Sequence, residues 1–217
     1  MALTTITAQE LLPYVLPDTP DAPDSLVIRQ IMFAANDFCI KTNVWDEIQD
    51  PTTVIDNVYQ YDVDVPKYAQ VATIKNIWLP NRELIPATMD QIQEFIPNWQ
   101  TSTGAGPVYF NAAQDWTSYR IFPIPEGANK VQMTLRVAYA PDQFASVLPR
   151  FLADRWLDEI TAGAKARLMS MPSKPWSNAA MAAFNQRLYD DGALEAKIFM
   201  AHDKVLGNVR VKPVRMI

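Results

Sequence analysis

Cysteine and histidine are almost missing from this sequence: Cys39 and His202 are the single examples of each. A lone cysteine cannot close an internal disulfide, so a reducing compartment such as the cytoplasm is the natural setting. A zinc site wants four ligands drawn mostly from these two residue types. A nucleophile–histidine–carboxylate triad cannot be assembled with confidence around one late histidine. No metal, no cofactor and no enzymatic activity is expected. Glycine is scarce as well, with 6 residues against 17 prolines, which favours stiff connections over flexible linkers. The one glycine cluster, "STGAGP" at 102–107, lacks the spacing and the lysine of a phosphate-binding loop. It precedes a strand pattern where such a site would need a helix, and it reads as a loop. No run approaches the roughly 20 apolar residues that span a bilayer. The opening "MALTTITAQELLPYVLP" has neither the basic start nor the apolar core of a signal peptide, so a soluble protein is expected.

Positive charge is thin too. The formal net charge is −5, which argues against a surface that grips nucleic acid all over. The imbalance is uneven. As far as Asp64 the acids run from Glu10 through Asp18, Asp37 and Asp46, opposed only by Arg29 and Lys41, whereas the final stretch is basic. Such asymmetry is either an ordinary solvated surface or a device that orients contacts between copies or partners.

What is present suffices for a folded core. The chain has 217 residues, 49% of them hydrophobic and 20% charged, enough for one large domain or two small ones. Thr7 with Glu10 three residues on reads as a capping box opening a short helix, "AQELLPYV". Pro13, Pro17, Pro20 and Pro23 then predict an extended path over a surface. In "SLVIRQIMFAANDFCIKT", Ile28, Ile31, Ala35, Phe38 and Cys39 recur at helical spacing, which predicts a helix from Asp24 or Ser25 to about Thr42. Cys39 on that face is a small core residue.

After "WDEIQDP" the pattern alternates and turns β-branched and aromatic. "TTVIDNVYQYDVDV", a hairpin with the turn "PNRE", a short helix capped by Thr88 and Gln91, and three strands at "GPVYFN", "SYRIFPIP" and "NKVQMTLRVAYAP" together predict a mainly antiparallel β domain over 51–141. Helical spacing returns at Pro149. Leu152, Trp156, Ile160, Ala164 and Leu168 mark one face of a helix, and "MPSKPWS" separates it from another. That last helix carries two apolar stripes, Met181–Phe184–Leu188–Gly192 and Ala182–Tyr189–Ala193–Ala196. The expected fold is α+β: an antiparallel helical bundle built from 1–50 and 142–203, the inserted β domain, and an extended C-terminal arm over 204–217. Ile28, Ile31, Phe38, Leu152, Trp156, Ile160, Phe184 and Leu188 are expected to share one core.

Three further features bear on chemistry. Asp154 and Asp158 bracket Arg155 at helical i,i+4 spacing; a hydrolase built on them would require a cleft holding both. His202 near a helix end suits the helix dipole. Trp176, with Lys174 beside it in the Pro-flanked turn "SKPWSN", is either a plug over helix ends or an anchor for a partner.

The arm invites a partner as well. Val205, Leu206, Val209, Val211, Val214, Met216 and Ile217 are apolar, and Lys204, Arg210, Lys212 and Arg215 are basic. Apolar and basic residues alternate from Val209 to Lys212, and Pro213 suits an arm that pairs on one side only. Residues 204–217 are therefore expected to dock on another chain, or else to fold back as an edge strand on their own β domain.

"LLPYVLPDTPDAPDSLVIRQIMFAANDFCIKTNVWDE" (11–47) resembles the N-terminal signature of the head-to-tail adaptor proteins of tailed bacteriophages, the short-tailed ones especially. "ARLMSMPSKPWSNAAMAAFNQRLYDDGALEAK" (166–197) resembles that family's C-terminal hairpin, and "YQYDVDVP" and "RIFPIP" resemble its strands. The sequence departs from the pattern at Asn178-Ala179-Ala180, where a proline or an acid would follow the asparagine, and this bears on where the helix starts. The resemblance implies a structural virion component, made in the host cytoplasm and placed at the head–tail junction. A homo-oligomeric ring, twelve copies by resemblance, would dock beneath the portal protein, the arm most readily on the portal and otherwise on a neighbouring copy. The ring would lengthen the DNA channel, let double-stranded DNA pass without specific binding during genome ejection, and seat the tail nozzle or tail tube. The alternatives are a head-completion ring of a long-tailed phage and a soluble bacterial ligand-binding module.

Overall fold

The computed structural model describes residues 4–114, 116–127 and 131–202. Along the chain, strand β1 (Thr5–Thr7) leads into 3-10 helices at Ala8–Tyr14 and Leu16–Asp18, then helix α1 (Asp24–Thr42). Seven strands follow: β2 (Trp45–Ile48), β3 (Thr52–Thr53), β4 (Gln60–Asp62), β5 (Ala69–Leu79), β6 (Arg82–Glu83), β7 (Ile85–Pro86) and, after helix α2 (Met89–Phe95), β8 (Thr103–Gly104). The rest is β9 (Tyr109–Ala112), β10 (Ser118–Phe122), β11 (Ile124–Pro125), β12 (Gln132–Pro141), β13 (Val147–Pro149), α3 (Arg150–Met169) and α4 (Ala179–Ala201). The fold is α+β with mainly antiparallel sheets. It divides into two compact units: one from the segments up to Val44 and from Ser146 onward, the other from Trp45 to Ala145.

In the first unit, β1 pairs antiparallel with β13, and the Arg150 N–H donates to the Thr4 carbonyl at 2.9 Å. The prolines after Pro13 do not produce an extended path. Pro13 sits within the first 3-10 helix and Pro17 in the first turn of the second, where an N–H would find no intrahelical acceptor, and Leu11, Leu12, Val15 and Ala22 are buried. Glu10 accepts from the Thr7 N–H at 3.2 Å, as the capping box requires. Helix α1 ends at Asn43, whose left-handed φ of 53° suits an asparagine cap.

Helices α1, α3 and α4 pack on one another. Phe38 and Trp156 meet with ring centroids 5.5 Å apart, and Tyr189 approaches the edge of Phe38 at 6.0 Å. The whole predicted face of α3 is buried. Trp156 also marks a kink, with φ −127° and ψ 29° inside the helix. Gly163 is required where it stands, because a Cβ there would lie 2.6 Å from the Tyr189 ring.

Helix α4 corrects one expectation. Phe184 and Leu188 are 54% and 46% exposed and lie outside the core, and Ile28 of α1 is only half-buried. The buried stripe is Ala182, Asn185, Tyr189, Gly192, Ala193, Ala196 and Met200. Small residues win this face because they let α4 approach α3 closely. A Cβ on Gly192 would collide with the Glu159 side chain.

In the second unit β12 is the organising strand. It pairs antiparallel with β2, β3 and β5, and β5 pairs with β6. Met133, Leu135 and Val137 alternate inward, and from Val137 to Pro141 every residue is buried. A second sheet runs in the order β4-β10-β9-β7, and β8 and β11 form a short parallel pair. The Asp46 side chain on β2 is only 2% exposed and faces Arg136 Nη2 at 2.6 Å and Lys75 Nζ at 3.4 Å.

Candidate partner-binding surface

Residues Lys204, Val205, Leu206, Val209, Arg210, Val211, Lys212, Val214, Arg215, Met216 and Ile217, expected to meet a partner, lie outside the described residues. The described chain reaches His202, whose backbone N–H donates to the Ile198 carbonyl at 3.2 Å and closes α4.

The other expected contact residues, Lys174 and Trp176, lie in the turn between α3 and α4. Ser173 takes a left-handed φ of 59° there, the Ser177 N–H donates to the Lys174 carbonyl at 3.0 Å, and the Asn178 N–H donates to the Met169 carbonyl at 2.9 Å. Asn178 then caps α4, its side-chain oxygen accepting from the Met181 N–H at 3.1 Å, so the helix starts at Ala179 without a proline or an acid. Lys174 is exposed. Trp176 is buried within its own unit, and its Nε1 has no hydrogen-bond partner among the described residues.

A polar cluster also joins α1, α3 and α4. Asp37 on α1 accepts from Tyr189 Oη and from Lys41 Nζ, each at 2.8 Å, and Arg167 Nη2 lies 3.3 Å away. Burial works against the charged carboxylate. The hydrogen bonds from Lys41 and Tyr189 and the charge of Arg167 outweigh it and hold the Asp37 carboxyl below the usual carboxylate range. Burial, reinforced by the Asp37 carboxylate, pushes the Tyr189 phenol up, so it stays a donor at any physiological pH. Lys165 Nζ reaches Asp18 at 2.6 Å and ties the second 3-10 helix to α3.

The stripe of larger residues on α4, expected as core, is exposed at Met181, Phe184 and Leu188, and Leu194 and Ile198 are exposed as well. Asp191 and Glu195 are exposed on the same turns. By contrast, Asp154 faces Arg150 at 3.6 Å on its own helix, and Asp158 one turn on is exposed. Cys39 is fully buried, and burial raises its thiol pKa. No cluster of three or more potential metal ligands occurs among the described residues. A cleft of about 330 Å³ in the β unit is lined by Arg82, Pro80, Gly106 and Pro107. No helix among the described residues is long and apolar enough to cross a membrane.

No curated protein matches the chain. The family model described as "SU10 adaptor protein" matches residues 2–211, nearly the whole chain and both of its compact units. The motifs at both ends of the sequence and this continuous match lead to one conclusion: the chain belongs to the SU10 adaptor protein family, the head-to-tail adaptors of tailed bacteriophages.

Proposed function

We propose that the protein is a ring-forming adaptor that joins the portal to the tail and extends the DNA channel. The single observation that carries the reading is the family match over residues 2–211. A phage adaptor is a structural, non-enzymatic virion component at the head–tail junction, associated with portal and tail components. The finer picture is twelve copies closed by rotation, each offering the same pair of unlike surfaces to its two neighbours. The three packed helices form an antiparallel bundle. The arm at 204–217, with the exposed Lys174 of the turn that Trp176 fills from inside, provides contacts to the portal or to the neighbouring subunit, and the opposite end of the ring seats the tail nozzle or tail tube. Net negative charge suits a lumen through which DNA slides without sticking.

Native mass measurement and symmetry-resolved electron microscopy of the assembled head–tail junction test this directly. A closed ring of this chain between portal and tail is the expected result. A monomer that leaves portal and tail unconnected would overturn it. The acidic N-terminal third and the basic C-terminal segment add a second readout: association with the portal should weaken as ionic strength rises.

A further inference from the structure

A cleft in the β unit holds an arginine without a partner. Strand β5 turns back into β6 through Pro80 and Asn81, with Leu79 opposite Arg82. This turn and the loop at 105–107 bound a cleft of about 330 Å³, at the small end of ligand-binding cavities. Val54 and Val131 line it, tied by a 2.8 Å hydrogen bond from the Val54 N–H to the Val131 carbonyl, and Pro80 and Pro107 extend the apolar wall. Arg82 lies over Gly106, where a Cβ would stand 2.7 Å from its Nη2. The guanidinium has no ion pair, hydrogen bond or ring contact among the described residues. A carboxylate suits it, because two parallel N–H donors match two oxygens, and partial exclusion of water strengthens the pair.

A matching carboxylate stands on the helical unit. The Ala22 N–H donates to the Thr19 carbonyl at 3.3 Å, closing a turn with Pro20 and Asp21 at its tip. Thr19 and Ala22 are buried, so the turn is anchored at its base, while Pro20 and Asp21 are exposed. Asp21 has a left-handed φ of 66°, at the turn position that favours glycine or asparagine. Its carboxylate has no partner among the described residues, whereas Asp18 nearby is tied to Lys165. Pro20 and Pro23 stiffen the backbone on both sides, so docking this tip costs little freedom.

We infer that the turn at 19–22 of one copy docks in the Arg82 cleft of its neighbour, with Asp21 on the guanidinium and Pro20 against the apolar wall. The inference rests on the ring-forming reading above and names one contact of that ring. The two charges are opposite and both unpaired, which selects the partner and its orientation. A projecting turn also fits a concave site, whereas exposed acids such as Asp154 and Asp191 stand on convex helix surfaces. Turn and cleft belong to different units, so every copy offers one of each, a heterologous contact of the kind that closes a ring.

Charge reversal in the full-length protein supplies the test. Asp21→Arg and Arg82→Glu should each weaken self-association by about tenfold or more in sedimentation, with circular dichroism unchanged. Mixing the two single variants should restore assembly, because in alternating copies every contact again joins opposite charges. The variant carrying both changes should assemble as well. Asp50→Arg, which reverses another exposed acid beside a proline, should change nothing. Single variants that assemble like the parent, a loss that no mixture rescues, or an equal loss with Asp50→Arg would each overturn the inference. Rescue in the double variant without rescue in the mixture would confine the pair to one chain and overturn it too. Asp21→Cys and Asn81→Cys chains provide a second measurement. Mixed under mild oxidation they should yield a disulfide between the two variants, and its absence would count against the contact; Cys39 is fully buried and does not compete. Closed rings indifferent to the reversals defeat this inference and spare the ring. Reciprocal rescue that yields only open chains of subunits does the reverse.

Discussion

Asp37 gathers donors from two other helices and from its own. Its folded pKa lies below the ordinary value of about 3.9 for aspartate. The stability it contributes is therefore complete above that ordinary value and is lost as pH falls through the folded pKa. Asp37→Asn should flatten this acid limb, so that urea midpoints of the variant and the parent converge below about pH 4 while the parent stays ahead at neutral pH. Tyr189→Phe removes the donor at 2.8 Å and should cost about 1.5–3 kcal/mol at neutral pH. Gly163 is the complementary case, a residue whose value is what it lacks. Gly163→Ala forces a Cβ against the Tyr189 ring and the Ala34 side chain and should lower stability by about 1–3 kcal/mol, read in the same urea titration.

At the level of elements, the two faces of α4 make opposite predictions from similar residue types. Leu188→Ser should change the stability of the isolated subunit by no more than about 0.5 kcal/mol. Trp156→Ala, which opens a hole beside Phe38, should cost about 3–5 kcal/mol. The contrast shows where the sequence was legible. Helix α1 runs from Asp24 to Thr42 as its spacing predicts, α2 starts at the Thr88–Gln91 capping box, and α3 buries the face its periodicity marks. Period and burial agree along α3 and, Ile28 apart, along α1. Helix α4 has two apolar stripes, and a rule that ranks faces by side-chain size picks the wrong one, because close helix crossing selects glycine and alanine. Strand β2 escaped because "WDEI" is half charged; Asp46 is stabilised there by Arg136 on β12 and Lys75 on β5, pairings that sequence distance conceals. For the partner-binding residues, the sequence pointed to the arm and to the Trp176 turn. It held no means of distinguishing an exposed stripe from a core stripe.

For the whole molecule, the decisive fact is that the β unit is contiguous in sequence. It begins at Trp45 and ends at Ala145, and β2 and β12 pair near those ends, Trp45 opposite Tyr139 with ring centroids 5.6 Å apart. The segment 45–145 expressed alone should fold cooperatively, with a single urea transition and a near-ultraviolet circular dichroism signal from its packed aromatics. A broad, non-cooperative loss of signal would show that it depends on the helical segments.

The helical unit has no such independence, because its chain is interrupted. On the ribosome, α1 emerges before any residue of α3 or α4 exists, and synthesis of Trp45–Ala145 separates them by on the order of 5–20 s. Val27, Ile31, Ala34 and Phe38 must wait through that interval without the helices that cover them. The β unit is thus synthesised in full before any helix that covers α1. Translation speed through the β-coding stretch, rather than the sequence of α1 itself, sets how long that exposure lasts.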